Sequence, residues 1–270
     1  MRVLLTNDDG IQAVGLNALR RTLLDTPGVE LSVIAPDSNR SATARSITTR
    51  RPLEVDEIEF DDGTTGYATD GTPVDCVRLG ALGLIGEPPE LIVSGINHGS
   101  NLGDDITYSG TVAAALEGVV LGVPAIAVSQ QSLRREMDFR LGDEFDFSRS
   151  AAFTAALVDS IKEVDIPGGT LLNINCPAGE IKGVEACKLG RRIYRDRLEL
   201  ADDGDGPRRY RIYGAAPGYH HEDGTDFAAI AEDRIAVTPL HFDLTDLEGV
   251  ERLAGIDLNR LLRPAAREVE

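Results

Sequence analysis

The stretch Met1-Arg2-Val3-Leu4-Leu5-Thr6-Asn7-Asp8-Asp9-Gly10 decides how the chain is read. Arg2 to Leu5 form a short apolar run with strand character, and Gly10 breaks it. Leu16, Leu19, Leu23 and Leu24 then recur at helical spacing. Strand, turn and helix in that order place Asp8 and Asp9 on a strand-to-helix turn, where open α/β sheets hold their ligands. Two carboxylates about 5 Å apart at an effective dielectric of about 20 repel by roughly 3 kcal/mol, or about two pKa units. One of them keeps its proton unless a cation lies between them, and a divalent metal is the simplest such cation. The other use of these residues is to cap the helix that begins at Val14, for which one Asp suffices.

Outward from this opening, apolar runs alternate with helical patterns. Leu31 to Ala35 is a second strand, ended by Pro36, and Leu91 to Ser94 is another, followed by a glycine-rich loop from Gly95 to Gly110. Val112 to Leu121 is small, apolar and helix-favouring. Ala125 to Ser129 returns to strand, Ser148 to Glu163 shows helical spacing, and Leu171 to Ile174 gives a further strand. This alternation predicts an α/β fold with a mostly parallel sheet covered on both faces.

After about Gly183 the character changes. Arg191 to Tyr213 is charged, with an acidic turn from Ala201 to Pro207 between two β-prone stretches, and reads as a long hairpin of the kind that leaves a domain to meet a partner. Asp226 to Ala231 reads as a short helix, Arg234 to Thr238 as a strand, and Leu247 to Leu262 as a last amphipathic helix. The expected division is a catalytic core over residues 1–183 and a hairpin, closing strand and helix over 184–270, within one globular unit.

Composition narrows the class. The chain has 270 residues, enough for a proper core. No apolar run reaches the ~18 residues of a membrane span. The opening enters a strand directly, without the pattern of a signal peptide, so the expectation is a cytoplasmic chain that uses no membrane. Cys76, Cys176 and Cys187 are odd in number and widely spaced, which fits neither a disulfide framework nor a zinc motif. Asp and Glu number 45 against 27 Lys and Arg, a formal net charge of -18. Lys162, Lys182 and Lys188 are the only lysines, and the other cations are arginines. So acidic a chain repels itself at low ionic strength and gains from screening, which reads as adaptation to a salty cytoplasm. The same charge argues against nucleic acid as a partner.

Four segments at the carboxyl ends of predicted strands carry polar residues that can converge: Asp8-Asp9, Pro36 to Ser41, Ser94 to Asp105, and Tyr108 to Thr111. Their donors are carboxylate, hydroxyl and amide oxygen, which suit Mg²⁺, Mn²⁺ or Ca²⁺ rather than zinc. Ser109-Gly110-Thr111 opens a helix, where exposed N–H groups form a ready phosphate site, although a plain Ser/Thr cap accounts for the same residues. His98 lies inside the glycine-rich loop, with a structural and a catalytic role both open. His220-His221 has no metal-ligand spacing. An acid pair ready for metal beside a helix end ready for an anion points to phosphate ester chemistry.

These segments closely resemble the SurE family, the survival protein E nucleotidases. The resemblance runs nearly end to end. It includes LLTNDDG, APDSNRS, GTPVDCVRLG from Gly71, SGINHGSNLGDDITYSGTVAAALEG from Ser94, LLNINCP from Leu171, and GTDFAAIAEDRIAVTPLHFDLTD from Gly224. It implies a Rossmann-like α/β fold whose C-terminal hairpin and helix serve oligomerisation, giving a homodimer or homotetramer. It also implies a phosphatase that uses one divalent cation per subunit, Mg²⁺ or Mn²⁺, on nucleoside 5′-monophosphates, with 3′-monophosphates and polyphosphate as further substrates. By motif match the metal ligands are Asp8, Asp9, Ser41 and Asn97, and the phosphate site is Asn97, Asn101, Ser109, Gly110 and Thr111. Gln12 and Val14 stand where family members often carry His and Pro.

The expected mechanism is hydrolysis by water activated at the cation, with Asp8 or Asp9 orienting it or taking its proton. A covalent aspartyl-phosphate is the competing route. An oxidoreductase reading fails because the first turn lacks G-x-G-x-x-G and puts two acids where a pyrophosphate would sit. The rival from another class is a non-catalytic nucleotide or metal sensor on the same fold.

Overall fold

Val3 and Leu5 point to one side of the first strand and Leu4 to the other, and all three are buried, as the two-residue period of a doubly covered strand requires. The computed structural model describes residues 1–137, 144–161, 163–164, 166–202, 206–212 and 217–262. In chain order the elements begin with β1 (Arg2–Thr6), α1 (Val14–Leu24), β2 (Glu30–Pro36), β3 (Val55–Glu59), β4 (Thr65–Thr69) and α2 (Pro73–Ala81). β5 (Leu91–His98), a 3₁₀ turn (Gly103–Thr107), α3 (Gly110–Val120), β6 (Ala125–Gln130), α4 (Ser148–Asp159) and β7 (Thr170–Cys176) follow. The remainder comprises β8 (Gly183–Ala186), β9 (Arg192–Ile193), β10 (Glu199–Asp202), β11 (Arg209–Arg211), β12 (Gly218–Tyr219), α5 (Asp226–Ala231), β13 (Arg234–His241), α6 (Leu247–Ala254) and a second 3₁₀ turn (Leu258–Leu261).

The main sheet has nine strands in the order β3-β4-β2-β1-β5-β6-β7-β13-β8. Its centre is parallel, from β4 through β2, β1, β5 and β6 to β7. β3 and β13 run antiparallel to their neighbours β4 and β7. Leu16, Leu19 and Leu23 of α1 and Ala151, Ala155 and Val158 of α4 pack with Val3 and Leu5 on one face. Cys76 and Val77 of α2 and Val112, Ala114 and Ala115 of α3 pack with Leu4 and Ile92 on the other. The chain therefore leaves β1 toward one face through α1 and leaves β5 toward the opposite face through α3. That divergence opens a crevice at the carboxyl ends of β1 and β5, the switch point of the sheet. No helix among the described residues is long and apolar enough to cross a membrane.

Several elements differ from the sequence expectation. β5 does not stop at Ser94 but runs on to His98, with one extra residue between Ser94 and Asn97 relative to β6. Gly95 makes this bulge possible: its φ is +140°, and a Cβ there would lie 2.3 Å from the Val128 carbonyl oxygen. The hairpin β3–β4 and helix α2 fall where no element was expected. β3 reads Val-Asp-Glu-Ile-Glu and is mostly exposed, so it shows little apolar signal. α2 carries a full capping box, with Thr72 Oγ accepting the Asp75 N–H and Asp75 accepting the Thr72 N–H, and Pro73 opens the helix.

At the C-terminal end, the hairpin expected between Arg191 and Tyr213 is present as β10 paired with β11, while β9 pairs with β12. Asp203 to Asp205 of its acidic turn, and Tyr213, lie outside the described residues. β8 and β13 pair within the main sheet. The last helix ends at Gly255 rather than continuing to Leu262, and glycine is the poorest helix former after proline. None of the residues of α6 is buried.

Candidate active site

The turn after β1 is held by its own asparagine. Asn7 Nδ2 donates to the Gly10 carbonyl at 2.9 Å and Asn7 Oδ1 accepts the Gly10 N–H at 3.2 Å. Gly10 has φ +104°, so the chain reverses tightly and leaves Asp8 and Asp9 on the outside of the bracket. Neither acid caps α1. That helix begins after Ala13, has no side-chain cap and carries no acidic residue in its first turn. The capping explanation of the acid pair therefore fails.

Asp8 is buried, and its Oδ1 accepts the Thr111 hydroxyl at 2.6 Å. Gly110 lies directly against it, and a Cβ there would meet Asp8 Cβ and Oδ2 at 2.7 Å. Asp9 accepts the His98 N–H at 3.0 Å on one oxygen and Asn39 Nδ2 at 3.2 Å on the other. Asn39 in turn accepts the Ser41 N–H at 2.9 Å, and the Arg40 N–H donates to the Asp8 carbonyl at 2.7 Å. The loop that carries Ser41 is thereby laced to the acid pair. Farther along this loop, Arg45 reaches the buried Glu117 of α3 at 2.7 Å, and Arg78 of α2 reaches the same carboxylate at 2.6 Å.

Asn97 follows the β5 bulge. Its Nδ2 donates to the Gly99 carbonyl at 2.8 Å, which leaves Oδ1 turned toward Thr111, whose hydroxyl lies 3.3 Å away. Asn101 is fixed from three sides. Its backbone N–H donates to Asn175 Oδ1 at 2.8 Å and its Nδ2 to Ser129 Oγ at 2.8 Å. Its carbonyl accepts the side-chain amides of Asn173 and Asn175 at 3.0 and 2.9 Å. Ser109 acts as the N-cap of α3, accepting the Val112 N–H at 3.1 Å. Thr111 turns both its hydroxyl and its backbone N–H on Asp8. The start of α3 thus serves the carboxylate as well as offering its dipole to an anion.

A cavity of about 590 Å³ opens over these groups, within the range of small-molecule sites. Asp8, Ser41, Asn97, Asn101 and Ser109 line it. Asp9, Gly110 and Thr111 stand behind that wall, joined to it through the contacts just described. Three residues of its lining come from the C-terminal hairpin region and were not singled out by sequence: Tyr194, Asp196 and Ile212. Asp105 and Tyr108 complete that side. A buried Asp105–Arg192 ion pair supports it, with the Tyr194 hydroxyl donating to Asp105 at 3.0 Å. No local pattern marks these residues, because their partners lie almost ninety positions apart in the chain, 87 for Arg192 and Asp105.

The electrostatics are one-sided. Among the described residues no Lys, Arg or His forms an ion pair with Asp8 or Asp9. Burial, and then the Asp9 charge, push Asp8 up to about 6. Burial pushes Asp9 up to about 6, against the opposing hydrogen bonds from His98 and Asn39. His98 packs against the rings of Phe145 and Phe147, with centroids 5.1 and 4.9 Å away and the two Phe rings 5.5 Å from each other, and its Nε2 accepts the Gly15 N–H at 3.3 Å. Burial lowers its pKa and keeps the imidazole neutral, so its ring supports the site as an acceptor and not as a cation. Among the described residues no three His, Cys, Asp or Glu side chains gather as a metal cage. The side-chain donors at this end of the sheet are two carboxylates with neutral hydroxyl and amide oxygens, a chemical set that suits a hard divalent cation retaining part of its water.

The model for the family described as Survival protein SurE matches residues 3–196. The chain belongs to the SurE family. It is 50% identical over 266 residues to a protein of Rubrobacter xylanophilus named 5′-nucleotidase SurE, covering 97% of this chain and 99% of that one. A second relative with the same name, from Herpetosiphon aurantiacus, is 43% identical over 94% of this chain and 97% of its own. The crystal structure of the SurE protein from Aquifex aeolicus superposes with a TM-score of 0.77 at 38% identity, covering 94% of this chain and all of that one.

Proposed function

We propose that this SurE-family chain is a cytoplasmic, divalent-metal-dependent 5′-nucleotidase that hydrolyses nucleoside monophosphates to nucleoside and phosphate. The observation that carries the reading is the acid pair, with buried Asp8 in the wall of a cavity of about 590 Å³ and Asp9 behind it, both raised in pKa and, among the described residues, without an ion-paired cation. Relatives matching nearly the whole chain carry the name 5′-nucleotidase, which supports the same substrate class here.

Asp8, Asp9, Ser41 and Asn97 would hold one Mg²⁺ or Mn²⁺. Such a cation, when bound, supplies positive charge against the phosphoryl oxygens and acidifies water. The residues do the rest. Thr111 fixes Asp8 through its hydroxyl and N–H, and the His98 N–H and Asn39 fix Asp9, so both carboxylates are oriented before substrate arrives. An ionised carboxylate of this pair, held in place, can accept a proton from the attacking water. Asn101, locked by Ser129, Asn173 and Asn175, is fixed in the cavity wall. Ser109, Gly110 and Thr111 direct the positive end of α3 at the equatorial oxygens as charge shifts.

The test is phosphate release from nucleoside 5′- and 3′-monophosphates in high salt, with Mg²⁺, with Mn²⁺ and with chelator. Release that requires the cation and stops with chelator is expected. Release unaffected by chelator would remove the metal from the mechanism, and none from folded protein would leave a binding protein.

Protons and the cation compete for the same carboxylates. Because both pKa values lie near 6, Mn²⁺ affinity should weaken as pH falls below that value. The expected loss between pH 7 and pH 5 is about tenfold for each proton taken up. Titration calorimetry at the two pH values measures it, and equal affinities would show that the acid pair is not the ligand.

The partner is a second copy of the chain, giving a homodimer or homotetramer. Leu247, Val250 and Leu253 form one apolar stripe on α6, each at least half exposed at 68%, 52% and 52%. Ile256, Leu258, Leu261 and Leu262 extend it, also exposed. An apolar stripe of this size left open on one chain marks an association surface. Val250→Asp with Leu253→Asp should lower the mass seen by light scattering to that of a smaller species. An unchanged mass would place the interface elsewhere.

A further inference from the structure

The wall of the cavity has two chemistries. Beside β1 and β5 it is polar and built from Asp8, Ser41, Asn97 and Asn101. The side formed by the 3₁₀ turn and the hairpin stem presents Tyr108, Tyr194 and Ile212, with Asp196 among them. No Lys or Arg is among the described lining residues. A second phosphate, or a polyphosphate chain, would find no counter-charge on that side and would meet carboxylates instead.

Three large apolar side chains on one cavity wall are left open. Tyr108 is 57% exposed, Tyr194 41% and Ile212 50%. Tyr194 is nonetheless held in place. Its hydroxyl donates to Asp105, which is buried and ion-paired to the buried Arg192. The hydroxyl is thus already committed, and what the side chain offers the cavity is its ring. The Arg197 N–H donates to the Ile212 carbonyl at 3.2 Å and closes the base of the hairpin, which keeps Ile212 and the neighbouring Asp196 on the same wall. Flat apolar faces beside a carboxylate suit a planar heterocycle with N–H donors on its edge.

We propose that Tyr108, Tyr194 and Ile212 form the nucleobase site of this enzyme, with the Asp196 carboxylate accepting hydrogen bonds from the edge of the base. The proposal rests on the nucleotidase reading and names the part of the substrate that reading leaves open. A carboxylate only accepts. Guanine, with adjacent N1–H and N2–H donors, meets it best, and uracil, whose single N–H is flanked by two carbonyls, meets it worst.

The experiment compares kcat/KM for GMP with that for ribose 5-phosphate, which keeps the sugar and ester and lacks the base. Wild type, Tyr194→Ala and Tyr194→Phe are measured, each checked for folding by thermal melting. In the wild type GMP should be preferred by tenfold or more. The ratio should fall roughly tenfold in Tyr194→Ala, mainly through KM, the size expected for one lost base–aromatic stack. Tyr194→Phe, which retains the ring, should keep most of the preference. Equal loss on both substrates, or no preference in the wild type, overturns the proposal. If neither ester is cleaved, the nucleotidase reading fails, and the base site is then judged by saturation-transfer NMR with guanosine. Transfer to the base protons in the wild type that Tyr194→Ala abolishes supports the site, and no transfer in the wild type overturns it.

Discussion

Asp8→Asn should lose turnover by on the order of a hundredfold to a thousandfold, while the metal-free protein becomes more stable at neutral pH. The two effects have one cause. Asp8 is buried beside Asp9, with no basic side chain among the described residues paired to it, and its pKa rises from 3.8 to about 6. Because the folded-state value lies above the unfolded one, the folded metal-free protein holds more protons between about pH 4 and 6. The stability this group contributes is complete below about pH 4 and is lost as pH rises through 6. At pH 7 the buried charge then costs on the order of 2–3 kcal/mol. Asparagine removes the charge and keeps an oxygen to accept the Thr111 hydroxyl, so it recovers part of that cost. It also removes a charged donor to the cation, and losing one preorganised electrostatic partner has the kinetic size given above. Melting in chelator and turnover in Mn²⁺ measure both effects. A variant with wild-type turnover would sink the assignment of Asp8. A variant that is inactive and also less stable in chelator would show that Asp8 supports the fold and not the reaction.

That trade between stability and chemistry explains which parts of the site can be read from sequence. Asp8 and Asp9 are conspicuous because an acid pair on a strand-to-helix turn has no cheap structural use, and the uncapped start of α1 shows that they have none here. Asn97 and Asn101 were legible as polar residues after an apolar run. The path of the chain between them was not. Gly95 reads as a break, yet it continues β5 through a bulge, because the backbone there approaches the Val128 carbonyl more closely than a side chain would allow. Thr111 could be placed at a helix start, but only the fold shows that it faces Asp8, 103 positions away. β3 was missed because a charged, exposed edge strand carries little apolar pattern. α2 was missed although Thr72, Pro73 and Asp75 spell a helix start. Tyr194 and Ile212 had no signal, since nothing local distinguishes a hairpin residue facing a cavity from one facing water.

Arg192→Met should destabilise the protein by about 3–5 kcal/mol, the cost of leaving one partner of a buried ion pair alone. The Arg192 side chain is 1% exposed and that of Asp105 4%. Arg192 also lies over the Phe227 ring, 4.6 Å from its centroid, and its backbone N–H reaches Asp104 at 2.8 Å. Removing the guanidinium leaves the Asp105 carboxylate in the wall with the Tyr194 hydroxyl as its remaining donor. A second substitution separates the pair from the packing. Asp105→Asn alone strands the guanidinium, whereas Asp105→Asn combined with Arg192→Met strands neither charge, so the double variant should be more stable than the sum of the single losses implies. Denaturant melts of the four proteins give that coupling. A coupling near zero would mean that water already reaches the pair and that Arg192 acts through its contact with Phe227. A large coupling would make the pair the brace that holds the hairpin stem against the 3₁₀ turn, and with it the wall of the cavity opposite Asp8.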